Sequence, residues 1–352
     1  MPRVMHIVTT GGFAGVERYV CNLVAATERH GWEVTVVGGD PERMHAALDG
    51  HGRWEPGATP LEALRSVRRV GRVDICHAHM TAAETVAVLS RPIHHAPVIS
   101  TRHFARHRGA SVLGRLAATS ISARLAYQIA VGEFIAESLE RRPDAVIVSG
   151  VPDTPSLWRA DNRRVVLLQR LEADKDTITA LRAWQASQLA GEGWSLRVCG
   201  EGSERRELEQ WVQREAVAGV SFAGWTDDVS AELAGAGILL ASAVAEPLGL
   251  SVLEAMAAGV PVVASASGGH LETIGLLGGA PLFPPGDHLA GAGALRSLLD
   301  ESARARLSQA ERSLVAENFT IDGHVELLLA AYDAVRGEPC SRGRDELARR
   351  AA

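Results

Sequence analysis

Two carboxylates bracket what reads as a helix start in the segment Ala245-Glu246-Pro247-Leu248-Gly249-Leu250-Ser251-Val252-Leu253-Glu254. A strand ends before it, the loop carries Glu246 and Gly249, and a helix is expected to open near Ser251. The free N–H groups of a first helical turn, with Gly249 permitting close approach, form an anion seat of the kind a diphosphate fills. Carboxylates beside such a seat would face hydroxyl groups rather than phosphate, because ionised carboxylates only accept hydrogen bonds. Glu254 has a second reading, since Ser251-x-x-Glu254 has the form of a capping box. Glu246 precedes Pro247 in a loop with no helix to cap, and its alternative is a solvated surface acid.

A second group follows the apolar run Val165-Val166-Leu167-Leu168: Gln169-Arg170-Leu171-Glu172-Ala173-Asp174-Lys175-Asp176. Among 36 basic residues Lys175 is the single lysine. A compact ammonium does what a planar guanidinium cannot, so its position invites a chemical reason. Third, Gly11-Gly12-Phe13-Ala14-Gly15-Val16-Glu17-Arg18 follows the first strand-like run and opens a helix. Its spacing is not Gly-x-Gly-x-x-Gly, and no acidic residue closes a second strand about 20 residues on, so a dinucleotide site is disfavoured. Glu17 also reads as an ordinary carboxylate in a first helical turn. Fourth, Ile99-Ser100-Thr101-Arg102-His103 ends a strand, and His77 and His79 follow Val73-Asp74-Ile75.

The elements that must hold these groups alternate. Strand-like runs are expected at Met5–Thr9, Glu33–Val37, Val73–His77, Pro97–Ser100, Gln128–Val131 and Ala145–Val148, with helices between them such as Val16–His30 and Thr81–Leu89. The rhythm breaks at Ser149–Asn162, which carries Gly150, Pro152 and Pro155 and reads as a linker. It resumes with Arg164–Leu168, Ser195–Cys199, Val220–Ala223, Gly237–Leu240, Val260–Ala264 and Pro281–Phe283. Alternation of this kind means βαβ units and parallel sheets. The fold class is α/β, with two Rossmann-like doubly wound domains facing across a cleft, and ligands are expected at the C-terminal edges of the strands. The domains expected are 1–155 and 156–320, then a helix over 321–336 packing back on the first domain, and a polar tail over 337–352.

Against this frame the motifs resemble those of the retaining glycosyltransferases of family 4 (glycosyl transferases group 1), which have the GT-B fold. Glu246 and Glu254 match the Glu-x7-Glu motif, followed here by Gly259-Val260-Pro261-Val262-Val263-Ala264, with Leu248 where Phe is usual. The resemblance implies that Glu246 contacts hydroxyls of the donor sugar and Glu254 the ribose, with Leu248, Gly249 and Leu250 lining the donor. Arg170 and Lys175 match Gly-Arg-Leu-x-x-x-Lys-Asp, with Gln169 in place of glycine, and are implied to meet the donor phosphates. Gly12 and Gly15 match the glycine-rich loop in kind, with Ala14 where a glycine is common; Glu17 would lie on the acceptor side. His103 matches a strand-end His that touches the donor sugar near the reacting carbon. His77 and His79 match Asp-x-x-His-x-His, of packing or acceptor-side character. Val198-Cys199-Gly200-Glu201-Gly202 resembles a Gly-x-Gly turn against the nucleotide, Val220–Trp225 the segment that meets the base, and Ser267-Gly268-Gly269-x-x-Glu272 a further family segment. The resemblance spans roughly residues 4–335.

The activity so implied is transfer of a sugar from a nucleotide-diphosphate-sugar to an acceptor hydroxyl with retention, by front-face displacement. No cofactor and no metal is implied, the nucleotide-sugar being a substrate. A GT-B nucleotide-sugar epimerase and a non-catalytic nucleotide-sugar-binding protein are the alternatives, with a Rossmann oxidoreductase behind them. A net charge of −6 offers no case for nucleic acid. Cys21, Cys76, Cys199 and Cys340 show no Cys-x-x-Cys pair, so reduced thiols are expected. No apolar stretch approaches the ~20 residues of a membrane span and no secretory leader is evident, so a cytoplasmic protein is expected. Between Glu84 and Glu133 stand Arg91, Arg102, Arg106, Arg108, Arg115 and Arg124 with no acid. Such a patch would draw an anionic acceptor, with Arg102 and Arg106 foremost, or the anionic inner face of a membrane through residues 91–124. A soluble acceptor such as an antibiotic or a small polyol is equally open.

Overall fold

The apolar runs become strands that are covered on both faces, which is why they show no alternation of wet and dry residues. The computed structural model describes residues 1–104 and 119–337. Arg106, Arg108, Arg115, Cys340 and all but the first residue of the tail expected over 337–352 lie outside the described residues. The chain divides into two units, Met1–Gly150 with the chain from Ile321 onward, and Val151–Thr320. The first crossing thus falls after Gly150, a few residues before the boundary read at 155/156.

In the first unit seven parallel strands are β1 (Arg3–Val8), β2 (Glu33–Gly38), β3 (Arg53–Glu55), β4 (Ile75–His79), β5 (Val98–Arg102), β6 (Tyr127–Ala130) and β7 (Ala145–Val146), ordered β3-β2-β1-β4-β5-β6-β7. In the second, six parallel strands are β8 (Arg164–Leu168), β9 (Ser195–Cys199), β10 (Val220–Gly224), β11 (Ile238–Ala241), β12 (Val262–Ser265) and β13 (Leu282–Phe283), ordered β10-β9-β8-β11-β12-β13. Each sheet therefore has one place where the chain reverses its direction of travel, between β1 and β4 and between β8 and β11. There the connections leave to opposite faces and open a crevice at the strand C-termini.

β8 and β9 fall where the sequence placed them. β4 and β5 instead start later and run on through His77, His79, Thr101 and Arg102, all buried. Polar side chains there read as strand ends, yet the sheet carries them inside. β3 was not anticipated; a three-residue edge strand of Arg53, Trp54 and Glu55 has no apolar run to announce it. The helix Gly15–Arg29 and the helix Ile321–Arg336 both pack in the first unit, where Tyr19 of one meets His324 of the other. The core of the second unit gathers Leu167, Leu181, Trp184, Trp194, Val263 and Phe283.

Glu311, on the helix Glu301–Asn318, is fully buried beneath β12. One carboxylate oxygen accepts the Val262 N–H at 3.0 Å and the other has no partner among the described residues. Burial raises its pKa well above the ordinary 4.5. A raised folded value means that its contribution to stability is intact below the unfolded value and is lost as pH climbs toward the folded one. Each pKa unit of difference costs about 1.4 kcal/mol. In Glu311→Gln that loss is absent, so thermal melts of wild type and variant diverge from pH 5 to pH 8, the variant gaining. Parallel melting curves over that range would contradict a charge-starved Glu311.

Candidate functional site

β8 and β11 are sheet neighbours, and their C-terminal loops carry the two sequence groups with the strongest chemistry. After β8 the chain turns through Gln169, whose side-chain amide donates to the Lys175 carbonyl at 3.0 Å, to Thr177 Oγ1 at 3.0 Å and to Ser242 Oγ at 3.3 Å. Ser242, just past β11, in turn donates to the Lys175 carbonyl at 2.9 Å. The loop that presents Lys175 is therefore stitched to both strands. Gln169 lies outside the left-handed backbone region, so a side chain where glycine is usual brings no strain.

Lys175 Nζ lies 2.6 Å from Glu246 Oε2, each side chain 13% exposed. Glu246 Oε1 accepts the Gly249 N–H at 3.2 Å. Burial pushes the Glu246 carboxyl up, but Lys175, the nearby His270 and the Gly249 N–H together hold it below its ordinary value. Gly249 stands at the N-cap of the helix Leu250–Ala257 with φ of 85°, a conformation that glycine adopts freely. Beyond it the first-turn N–H groups point out of the helix with no intrahelical carbonyl to meet.

The sequence placed the helix start near Ser251, with a capping box as the alternative for Glu254. The helix begins at Leu250, no side chain caps it, and Ser251 lies inside the first turn, so that box does not form. Glu254 is half-buried on the same helix as Ser251, and Leu248 is buried under Gly269, where a Cβ would come 2.3 Å from Leu248 Cα.

The two cations part company. Arg170 is 45% exposed and pairs with Asp174 at 3.1 Å, whereas Lys175 is nearly enclosed with Glu246. Gly200 and Gly202 have a packing requirement: a Cβ would come 1.9 Å from the Gln169 carbonyl oxygen at the first and 2.2 Å from that of Leu171 at the second. Trp225, half-buried after β10, donates its indole N–H to Asp227 at 2.8 Å.

Sequence reasoning passed over His270, an unremarked position inside Ser267-Gly268-Gly269-x-x-Glu272. It is buried, and its Nδ1 lies 3.0 Å from the Ser265 carbonyl oxygen. A carbonyl only accepts, so Nδ1 carries the proton and Nε2 is the acceptor of a ring that burial keeps neutral. The ring lies against Gly249, where a Cβ would meet His270 Cδ2 at 2.9 Å. The signal that could have found it is a titratable residue in a run otherwise made of small and apolar ones.

In the first unit, Gly12 and Gly15 lead into the helix Gly15–Arg29. Neither has a positive φ, and a Cβ at Gly15 meets nothing within 4 Å among the described residues. Glu17 is buried and accepts the Ala14 N–H at 2.7 Å, so its carboxylate closes the first turn of the helix, the plainer of its two readings. Arg102 departs from the acceptor-side role expected of it. It is 5% exposed at the end of β5, 3.8 Å from Glu84 on the helix Thr81–Leu89, because both neighbours of its strand are sheet interior.

His103, just after β5, belongs to a cluster the sequence did not assemble. Register sets His6 of β1 beside His77 of β4, and His79 beside Thr101 of β5, on one covered face. His79 bridges His103 at 3.1 Å and His6 at 3.0 Å, while His77 bridges Tyr332 and Thr101, both at 2.7 Å. The side-chain ligand atoms of His6, His77 and His79 lie within 4.8 Å of one another, close enough to raise the question of a metal. Of their ring nitrogens only His6 Nε2 is without a hydrogen-bond partner among the described residues, so a cation there would have to strip the cluster of its existing bonds. The set fits a hydrogen-bond network better than a metal centre. Cys21, Cys76 and Cys199 are free and buried, and burial pushes the Cys21 and Cys199 thiols up to about 12.

Residues 154–314 match the family model of glycosyl transferases group 1, and residues 13–153 that of glycosyltransferase family 4. The chain is a group 1 glycosyltransferase. Over 176 residues this transferase is 31% identical to 2-deoxystreptamine glucosyltransferase of Streptomyces kanamyceticus, a match that takes in 48% of this chain and 45% of that one. It thus spans under half of that relative's length. Over 374 residues it is 26% identical to 2-deoxystreptamine N-acetyl-D-glucosaminyltransferase of Streptomyces fradiae, covering 94% of this chain and 84% of that one. Among solved structures, HepE of Anabaena, determined with UDP and glucose, superposes with a TM-score of 0.76 at 16% identity, covering 95% of this chain and all of that one. The fold of this glycosyltransferase is GT-B. Among the described residues no helix is long and apolar enough to cross a membrane.

Proposed function

We propose that this glycosyltransferase moves a hexose from a nucleoside-diphosphate donor to an acceptor hydroxyl with retention of anomeric configuration and without a metal. The observation that carries the reading is the enclosed Lys175–Glu246 pair, 2.6 Å apart beside the start of the helix Leu250–Ala257. A buried carboxylate held ionised by a lysine is built to accept hydroxyls, and a helix start with a glycine at its N-cap is built to receive phosphate. In this reading Glu246 takes hydroxyls of the transferred sugar, Glu254 the ribose, and the first-turn N–H groups at Leu250 the diphosphate. Lys175 and Arg170 supply positive charge, with Arg170 leaving Asp174 for the donor. Gly200, Gly202 and Trp225 border the nucleotide, Gly12 and Gly15 leave room for the donor phosphates, and His103 reaches the sugar.

Reaction begins as the bond from the anomeric carbon to the diphosphate oxygen lengthens. About one further negative charge gathers on the leaving group, where fixed cations and N–H dipoles lower the barrier because they meet it better in the transition state than before. The acceptor oxygen bonds to the anomeric carbon on the face the diphosphate leaves, and its proton passes to the departing phosphate oxygen. Atoms balance as glycoside plus nucleoside diphosphate. The paired carboxyl groups about 5–5.5 Å apart that a retaining glycosidase needs have no part in this scheme.

A UDP-hexose is the first donor to try, since HepE was solved with UDP and glucose. A small aminocyclitol is the first acceptor, since two relatives carry 2-deoxystreptamine in their names. The test is a thermal-shift screen of UDP-, GDP-, dTDP- and ADP-sugars, followed by proton NMR of the product's anomeric signal. A true donor at 100 times its dissociation constant adds about 2.7 kcal/mol of stability. Inversion at the anomeric carbon, or no shift with any of the four, would overturn the proposal.

A further inference from the structure

Two hydrogen-bond chains run through the buried histidines of the first unit, and they end differently. In the first, His324 Nδ1 lies 2.8 Å from the Val148 carbonyl oxygen, so Nδ1 carries the proton and Nε2 accepts from the Tyr19 hydroxyl at 2.9 Å. The Tyr19 oxygen is left to accept from the Thr101 hydroxyl, which bonds to it. Thr101 accepts from His77 Nε2, and His77 Nδ1 accepts from the Tyr332 hydroxyl. One backbone carbonyl thereby settles every proton along that chain.

The second chain runs His103 Nε2 to His79 Nδ1 at 3.1 Å, then His79 Nε2 to His6 Nδ1 at 3.0 Å. It ends at His6 Nε2, which is buried and has no partner among the described residues. A neutral imidazole has one N–H and one lone pair, so the choice at one end dictates the choice at the other. Were the proton on His6 Nε2, a buried N–H would stand unpaired, the rarer and costlier kind of orphan. A bare lone pair there puts the proton on His6 Nδ1, which donates to His79 Nε2; His79 then donates from Nδ1 to His103 Nε2. His103 must carry its proton on Nδ1.

We infer that His6 and His79 hold His103 in the Nδ1–H tautomer, so that it presents a hydrogen-bond donor, and never a base, from its outer nitrogen. His6 and His79 are positioning residues that act through His103. Resting on the proposed donor site, this makes His103 a donor to an oxygen of the transferred sugar and leaves the departing phosphate as the group that takes the acceptor proton.

Long-range proton–nitrogen correlation spectra of the full-length 15N-labelled chain report the tautomer directly, with His103→Gln assigning the His103 signals. The expected wild-type spectrum shows His103 as Nδ1–H. In His79→Phe it changes to Nε2–H, the form free neutral histidine prefers, and turnover of UDP-glucose falls on the order of 10²-fold. His79→Asn, whose amide keeps an N–H near the Nδ1 position, restores both the tautomer and most of the turnover. A wild-type His103 protonated on Nε2 overturns the inference without recourse to any variant, as does a folded His79→Phe protein with an unchanged tautomer. If His103 is Nδ1–H but its signals ignore saturating UDP-glucose, the relay stands and the placement of His103 at the sugar falls.

Discussion

In Lys175→Met, turnover falls on the order of 10²–10³-fold, about 3–4 kcal/mol of transition-state stabilisation, while affinity for the nucleoside diphosphate changes far less. The charge on the leaving group is greatest in the transition state, so a missing cation is felt there. Lys175→Arg does not restore the rate, because the larger planar guanidinium has little room beside Glu246, where the lysine side chain is only 13% exposed. The same change alters the acid response of the fold. In the wild type Glu246 is held below 4.5, so its share of stability is present above that value and is lost as pH falls through the depressed one. Without Lys175, burial dominates and the carboxyl rises, so stability is instead lost as pH increases above about 4.5. Between pH 4.5 and 8 the Glu246 contribution to melting is therefore level in the wild type and falls with rising pH in the variant, whereas below 4.5 it is the wild type that loses stability as pH drops. A Lys175→Met enzyme that works at the wild-type rate would remove Lys175 from the chemistry.

Gly200→Ala loses about 3 kcal/mol or more of stability and most of its activity with it. The added methyl would sit 1.9 Å from the Gln169 carbonyl oxygen, at a φ of 148° that side chains seldom adopt. Relief requires the ends of β8 and β9 to separate, and Gln169 is the residue whose amide fixes the Lys175 carbonyl. Gly15→Ala is the counterpart. Its methyl meets nothing within 4 Å and alanine is the better helix former, so its melting temperature is unchanged or higher. Any turnover that Gly15→Ala loses then reports a crowded ligand rather than a damaged fold. Equal melting temperatures for Gly200→Ala and wild type would show that the strand ends are looser than their packing implies.

The fold was legible because β8 carries the apolar run Val165–Leu168 and β9 sets Leu196 and Val198 two apart on a covered face, and both strands were located correctly. The Glu246–Lys175 contact was not legible from spacing alone, since 71 residues separate the partners. It follows from strand order: β8 and β11 lie side by side although two strands intervene in the chain, a fact that only the crossover connections supply. Motif resemblance singled out both residues without saying that they touch. It also set Arg170 beside Lys175, whereas a carboxylate four residues along the chain holds the guanidinium at the surface. The histidines were hardest. The resemblance gave His77 and His79 a packing or acceptor-side character and His103 a place at the sugar, while His6 and His324, far apart in the chain, carried no signal of their own. Register puts His6, His77 and His79 on one covered face, and hydrogen bonds bring His103 to His79 and His324 to Tyr19.

The return of residues from Ile321 onward to the first unit bears on the order in which the protein takes shape during synthesis. His77 and Tyr19 need Tyr332 and His324 as partners, and those leave the ribosome only after the whole of Val151–Thr320. The second unit is an uninterrupted stretch and can close first, while the earlier-made half waits with its polar interior unsatisfied. Fusing partners from two relatives at Gly150 alone would separate that interior from its last helix; an exchange that respects it must carry the terminal helix along.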